Sequence, residues 1–291
     1  MLTEDQWETL LISLRAGQCV PFLGAGASLG YEGSVGLPTG GQLALALADD
    51  VDYPGTDKQD FLRVAQYYEM VRNSPLLLRR FISKRILVPD AVPGKVHVAI
   101  AALPFHTVLT TNFDNLMEQA FSEYRGPNGE QKTPQKAFYK LRGNEEKLAE
   151  PTPEAPLVYK LHGTVEQSTT MVVTEDDVVD FLTCVMLKSP PLPEPVRAVF
   201  ANYSILFIGY GLKDWNVRVL MRAMRERRGL VGMPGMPSFA VQRCPEEPGL
   251  AKEWEASIAY WNRTEGLTCI DTDAVHFVLE LQRRFESGGG Q

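Results

Sequence analysis

The chain has 291 residues, 44% hydrophobic and 22% charged, an ordinary globular composition with enough length for a large core. Its net charge of -7 and isoelectric point near 5.3 argue against gripping a nucleic-acid backbone through the overall field, which needs Lys and Arg to neutralise phosphates. The opening MLTEDQWETL lacks the basic and apolar regions of a signal peptide, and no stretch approaches the roughly 20 apolar residues that span a bilayer. A cytoplasmic protein without membrane contact is expected.

Thr3 followed by Gln6 makes a capping box ahead of a first helix that Gly17 is placed to end. The apolar run CVPFLG then reads as a buried strand. Helical patterns fill residues 40–103, an expected helical insertion between the first two strands. Five further strands are expected at HTVLTT, PLVYKLH, SILFIGY, SFAVQRC and LTCI, most followed by a helical pattern. This alternation predicts an α/β fold with a Rossmann-like parallel sheet of about six strands flanked by helices, in one domain over 1–291. Residues 124–156, rich in Pro, Gly, Lys and Glu, are expected to hold a flexible loop.

Four motifs each follow an apolar run: GAGAS at 24–28, TTNFD at 110–114, LHG at 161–163 and GYGLKDWN at 209–216. In a parallel sheet all four gather at the carboxyl edge, where open α/β sheets bind ligands. Gly24 and Gly26 suit a sharp turn approaching a ligand closely, with following N–H groups facing a phosphate. A plain strand-to-helix turn reads equally well, since position 29 is Leu and no Gly-Lys-Ser/Thr follows. GLPTGG at 36–41, with Pro38 and Thr39, adds a second glycine-rich turn before a helix.

Asp114 is placed to cap the following helix. Asn112 is either a turn former or a carboxamide that donates to and accepts from a ribose hydroxyl or water. His162 is either structural or a general base near neutrality, with Gly163 permitting close approach of a substrate. His97 and His106 read as structural. Gly209 and Gly211 make another turn, and Asp214 caps the next helix, whose N-terminus can hold a phosphate or ribose. The acidic run at 175–177 reads as the solvated first turn of a helix. No spacing suits a metal, and Cys19, Cys184, Cys244 and Cys269 lie far apart without a CxxC pair.

Taken together and in this order, GAGAS with GLPTG, TTNFD, LHG and GYGLKD resemble the sirtuin family, more closely its branch of sirtuin-like NAD+ hydrolases in bacterial anti-phage systems. The resemblance covers about 24 to 216. It implies NAD as substrate, Asn112 and His162 as catalytic residues, and Gly24, Ala25, Gly26, Ser28, Pro38, Thr39, Asp114, Gly209, Gly211 and Asp214 as cofactor-binding residues. It departs from sirtuins that carry a four-cysteine zinc ribbon after the His-Gly, because VEQSTTMVVTEDD follows here. Cleavage of NAD+ to nicotinamide and ADP-ribose is therefore expected, with a non-catalytic NAD+ or ADP-ribose sensor and an NAD-dependent deacylase as alternatives. The resemblance also implies control by homo-oligomerisation or by a partner such as a HerA-type translocase ATPase or a short Argonaute-like protein.

Overall fold

A computed structural model describes residues 2–30, 35–143, 146–211, 219 and 237–288. Seven parallel strands form one sheet: β1 (Cys19–Leu23), β2 (Thr107–Thr110), β3 (Gln135–Phe138), β4 (Leu157–Lys160), β5 (Ser204–Ile208), β6 (Ser238–Val241) and β7 (Leu267–Ile270). Their order is β3-β4-β2-β1-β5-β6-β7. The chain leaves β1 towards β2 on one side and later returns to β1 from the other with β5, so the strand order reverses between β1 and β5. Helices α1 (Glu4–Arg15), α2 (Gly40–Asp50), α3 (Phe61–Arg72), α4 (Pro75–Ile86), α5 (Lys95–Ala102), α6 (Leu116–Glu123), α7 (Glu175–Leu187), α8 (Glu194–Asn202), α9 (Pro248–Glu265) and α10 (Ala274–Ser287) surround it.

Local signals set several of these boundaries. At α1 the Gln6 N–H donates to Thr3 Oγ1 at 3.3 Å and the Thr3 N–H to Gln6 Oε1 at 3.0 Å. The acidic run opens α7, where Thr174 and Asp177 close a second reciprocal cap.

The central strands are apolar throughout because both faces are covered. Cys19 and Leu23 of β1, with Leu206 and Ile208 of β5, face a core built from α1, α5, α6 and α10 that includes Leu10, Ile100, Phe121 and Phe277. Val20, Phe22, Ile205 and Phe207 face the opposite core, which takes Phe181 from α7 and Val196 and Val199 from α8. Each fully buried Phe contributes roughly 1.5–3 kcal/mol of transfer free energy.

The seven strands agree with the expected sheet of about six, and β3 is the one that no strand signal marked. β3 lies inside 124–156 and, among the described residues, pairs only with β4. As an edge strand with one of its four residues buried, it needs no continuous apolar run, so QKAF carries no buried-strand signal.

Helices α2, α3 and α4 form their own core around Leu47, Val64, Leu78 and Ile82, closed by Val165, Met171 and Val173 from the segment after His162. Polar ties reinforce this packing. Arg79 of α4 donates from Nη2 to Asp177 Oδ1 and Oδ2 at 3.0 and 3.1 Å, and Gln66 of α3 exchanges two hydrogen bonds with Asp176.

Candidate functional site

At the reversal point the loops after β1 and β5 cross in contact. The Gly24 N–H donates to Ile208 O at 3.0 Å and the Gly26 N–H to Gly209 O at 2.8 Å. A Cβ at Gly24 would lie 2.5 Å from Gly209 O, and one at Gly209, whose φ is +66°, would lie 2.2 Å from Ala27 N. The glycines are therefore required by each other. With the Ala27 N–H also bound, to Gly24 O at 2.9 Å, Ala25 is the early loop position left among the described residues to offer an amide to a ligand. The tight turn expected for Gly24 and Gly26, beside close approach to a ligand, is thus built on this mutual contact, while Gly26 also lines the cavity above it.

Above the crossing lies a cavity of about 630 Å³ lined by Ala25, Gly26, Ser28, Pro38, Thr39, Asn112, Asp114, His162, Gly209 and Gly211, all expected from sequence. Gly24 sits in the crossing beneath it, and Asp214 lies outside the described residues. The volume falls within the roughly 300–1,000 Å³ of small-molecule and cofactor sites. Sequence reasoning missed the opposite wall, made by Gln59, Asp60, Phe61 and Leu62 at the start of α3 and by Ile86 at the end of α4. Nothing local marks these residues, which reach the site only because the helical segment folds back over the sheet edge.

The N-terminus of α2 also points into the cavity. Thr39 is a cap: its Oγ1 accepts from the Gln42 N–H at 3.2 Å and the Thr39 N–H donates to Gln42 Oε1 at 2.8 Å. Gly40 and Gly41, the first two helical residues, line the cavity, and amides at these positions have no acceptor within a helix.

Ser28 is the hub of a network whose protons can be assigned from the chemistry of its ends. Asn112 Nδ2 donates to Gly24 O at 3.0 Å and to Ser28 Oγ at 3.3 Å; a carbonyl can only accept, so the NH2 group must face it. His97 Nδ1 accepts from the Gly94 N–H at 3.2 Å, which places the proton of the neutral ring on Nε2, 3.5 Å from Ser28 Oγ. Holding two donors, the Ser28 hydroxyl gives its own proton to Asp114 Oδ2 at 3.0 Å. Burial lowers the His97 pKa, with the Asp114 charge opposing, so the neutral ring is the favoured form. His97 is structural, as expected, but it also sets the hydroxyl at the site.

Asn112 thus spends its donors on the glycine loop, and its Oδ1 remains as an acceptor, where donation and acceptance were both expected. Asp114 uses Oδ1 to accept from the Leu116 N–H at 3.0 Å, the expected cap, and Oδ2 for Ser28. The loop itself is held by Thr110 Oγ1, which donates to Leu23 O at 2.9 Å and accepts from the Asn112 N–H at 2.9 Å.

His162 stands two residues beyond β4, 9% exposed, edge-on to Phe181 at 5.2 Å between centroids. Burial pushes its pKa down to about 4, with the Asp177 carboxylate pulling weakly the other way. The ring is neutral near pH 7, an acceptor and a weak base. Among the described residues it has no protein hydrogen-bond partner. Gly163 does not line the cavity. Its φ of +78° and a Cβ position 2.1 Å from Thr170 O show that the turn over 164–170 requires glycine, where substrate approach was expected to.

Among the described residues no group of three or more His, Cys, Asp or Glu is arranged to hold a metal, and no helix is long and apolar enough to cross a membrane.

Comparison with known proteins gives this geometry its relatives. NAD(+) hydrolase ThsA of Bacillus cereus (strain MSX-D12) is 26% identical over 211 residues, 70% of this chain and 39% of that protein. NAD(+) hydrolase ThsA of Cytobacillus dafuensis is 25% identical over 265 residues, 89% of this chain and 50% of that protein. Defense-associated sirtuin 2 of Bacillus subtilis is 26% identical over 170 residues, 57% of this chain and 15% of that protein. The chain spans half or less of the length of these relatives. The SIR2-like domain family matches residues 106–265, more than half of the chain and the part that carries Asn112, Asp114, His162 and the glycine turn at 209. The chain belongs to the SIR2-like domain family.

Proposed function

We propose that the protein hydrolyses the N-glycosidic bond between nicotinamide and ribose in NAD+, giving nicotinamide and ADP-ribose, as an NAD+-depleting effector of anti-phage defence. The observation that carries this reading is the meeting of Asn112, Asp114 and His162 with the crossed glycine turns on one cavity at the strand reversal. Similarity to proteins named NAD(+) hydrolase supports it.

In the reaction the bond from ribose C1′ to the pyridinium nitrogen breaks, its electron pair neutralises the ring, and water oxygen bonds to C1′ as a proton leaves. Nicotinamide departs neutral, so no general acid is required, and the barrier is chiefly formation of an oxocarbenium-like ribose. Asn112 Oδ1 and the neutral His162 ring are acceptors for ribose hydroxyls or the attacking water. The Asp114 carboxylate, steadied by Ser28, adds negative potential where positive charge develops. The pyrophosphate would meet the Ala25 amide and the N-terminus of α2 at Gly40 and Gly41, with Pro38 and Thr39 shaping that wall. Gly209 and Gly211 would flank the adenosine half.

A constantly active enzyme of this kind would exhaust its host, so we infer control through self-association or a separate protein, with a HerA-type ATPase or a short Argonaute-like protein as the partner classes.

The test is nicotinamide release from NAD+ by the purified protein, with bound nucleotide quantified alongside, for the wild type, Asn112→Ala and His162→Ala. Release by the wild type and loss in both variants is expected. Bound NAD+ without release favours a sensor or a partner-dependent enzyme, and neither binding nor release overturns the reading.

A further inference from the structure

Lys160, the last residue of β4, is 2% exposed and pairs in the sheet with Thr110, the last residue of β2. An ammonium has three protons to give, and three acceptors surround this one: the main-chain carbonyl of Asp114, Asn115 Oδ1, and Glu118 Oε1 at 2.8 Å. None is left for a ligand. The Lys160 and Glu118 side chains are each only 3% exposed, and Glu118 Oε2 is buried without a partner.

Such a pair is a poor device for stability. Desolvation of two buried charges commonly offsets their attraction, and apolar residues of similar volume often serve as well or better. A carboxylate oxygen left unsatisfied weakens it further. What the pair does accomplish is geometric. Two of the three ammonium bonds end on the TTNFD loop and its continuation, while Lys160 itself lies two residues before His162 on a rigid strand.

We propose that Lys160 is a positioning residue for NAD+ cleavage: it ties the loop carrying Asn112 and Asp114 to the strand carrying His162, with Glu118 as its buried counter-ion. This rests on the hydrolase reading above. Ser28 holds Asp114 from the cavity side through its side chain, and Lys160 holds it from beneath through its carbonyl. The spacing of the acceptors on TTNFD from the imidazole is then set by one buried cation.

The test uses the full chain with Lys160→Met, Glu118→Leu and the double variant. Each single change strands a buried charge or leaves carbonyls unpaired and lowers the melting temperature. The double variant removes both charges and recovers most of it. Hydrogen exchange is followed at the Asn112 and Leu116 amides, which are bonded to Thr110 Oγ1 and Asp114 Oδ1.

A positioning role predicts that the double variant, though folded, exchanges these amides about tenfold faster. Its kcat falls on the order of 100-fold with KM little changed, the scale expected when catalytic groups shift by an ångström. Wild-type exchange in the double variant overturns the proposal whatever its turnover, and so does wild-type kcat. If the wild type neither binds NAD+ nor releases nicotinamide, the hydrolase reading falls, while the exchange rates alone still decide whether Lys160 sets the loop.

Discussion

Asn112→Asp is nearly isosteric and removes only the two N–H donors that face Gly24 O at 3.0 Å and Ser28 Oγ at 3.3 Å. Two hydrogen bonds at roughly 1 kcal/mol each are lost, and the Gly24 carbonyl, now facing an anionic oxygen, adds about 1 kcal/mol or more as an unpaired acceptor. A loss of about 3 kcal/mol at pH 7.5 is expected. The new carboxylate is disfavoured in the fold, so its pKa there is raised above the unfolded value of about 3.9. As pH rises from about 4 the unfolded chain gives up this proton first, so the deficit grows with pH and is fully present near neutrality. In acid the protonated carboxyl donates once to Gly24 O and restores about 1 kcal/mol. Urea unfolding of wild type and variant at pH 7.5 and 4.5 measures both gaps. A gap below about 1 kcal/mol at pH 7.5, or one of equal size at both pH values, would refute the assigned orientation of the carboxamide and the network built on it.

His162→Ala should abolish nicotinamide release and gain on the wild type in acid. Because burial holds the His162 pKa at about 4 against about 6.5 unfolded, the unfolded chain binds the proton first as pH falls. The wild type thereby loses up to about 3 kcal/mol between pH 6.5 and 4, and a pH-independent gap in paired denaturation curves refutes this. Gly209→Ala should cost more than about 3 kcal/mol by urea unfolding, whereas Gly211→Ala, with nothing among the described residues within 4 Å of its Cβ position, should stay within about 0.5 kcal/mol; equal effects would refute the crossing. Arg79→Ala removes the ion-pair partner of Asp177, an arginine side chain only 11% exposed, and leaves the carboxylate only its main-chain donors; it should cost about 2–4 kcal/mol. Arg79→Lys should recover little, since it cannot match both carboxylate oxygens.

Much of the sheet was legible because a strand buried on both faces shows itself as an apolar run, and the ligand edge of a parallel sheet shows itself as glycine turns after those runs. β3 escaped because an edge strand lacks that signal. The candidate site divides the same way. Asn112, Asp114 and His162 follow strand ends and could be named from position, with Ser28 added by the family resemblance, but most of the partners each takes there could not. That Asn112 spends its donors on Gly24 depends on a contact across 88 residues. That Gly24 answers to Gly209 depends on β5 returning beside β1. The wall from Gln59 to Leu62 and the hold of His97 on Ser28 exist only once α3 and α5 are packed.

The crossing of the two glycine turns makes positions 24, 26 and 209 one mutational locus spread over two distant parts of the gene. A methyl group at any of them meets main chain of the opposite turn, which no rotamer change can move aside. A substitution tolerated at one position would need a simultaneous displacement of a strand end, so single-step drift is blocked at all three together. Any remodelling of the cavity, by selection or by design, has its latitude in the wall that the helices supply and none in the floor.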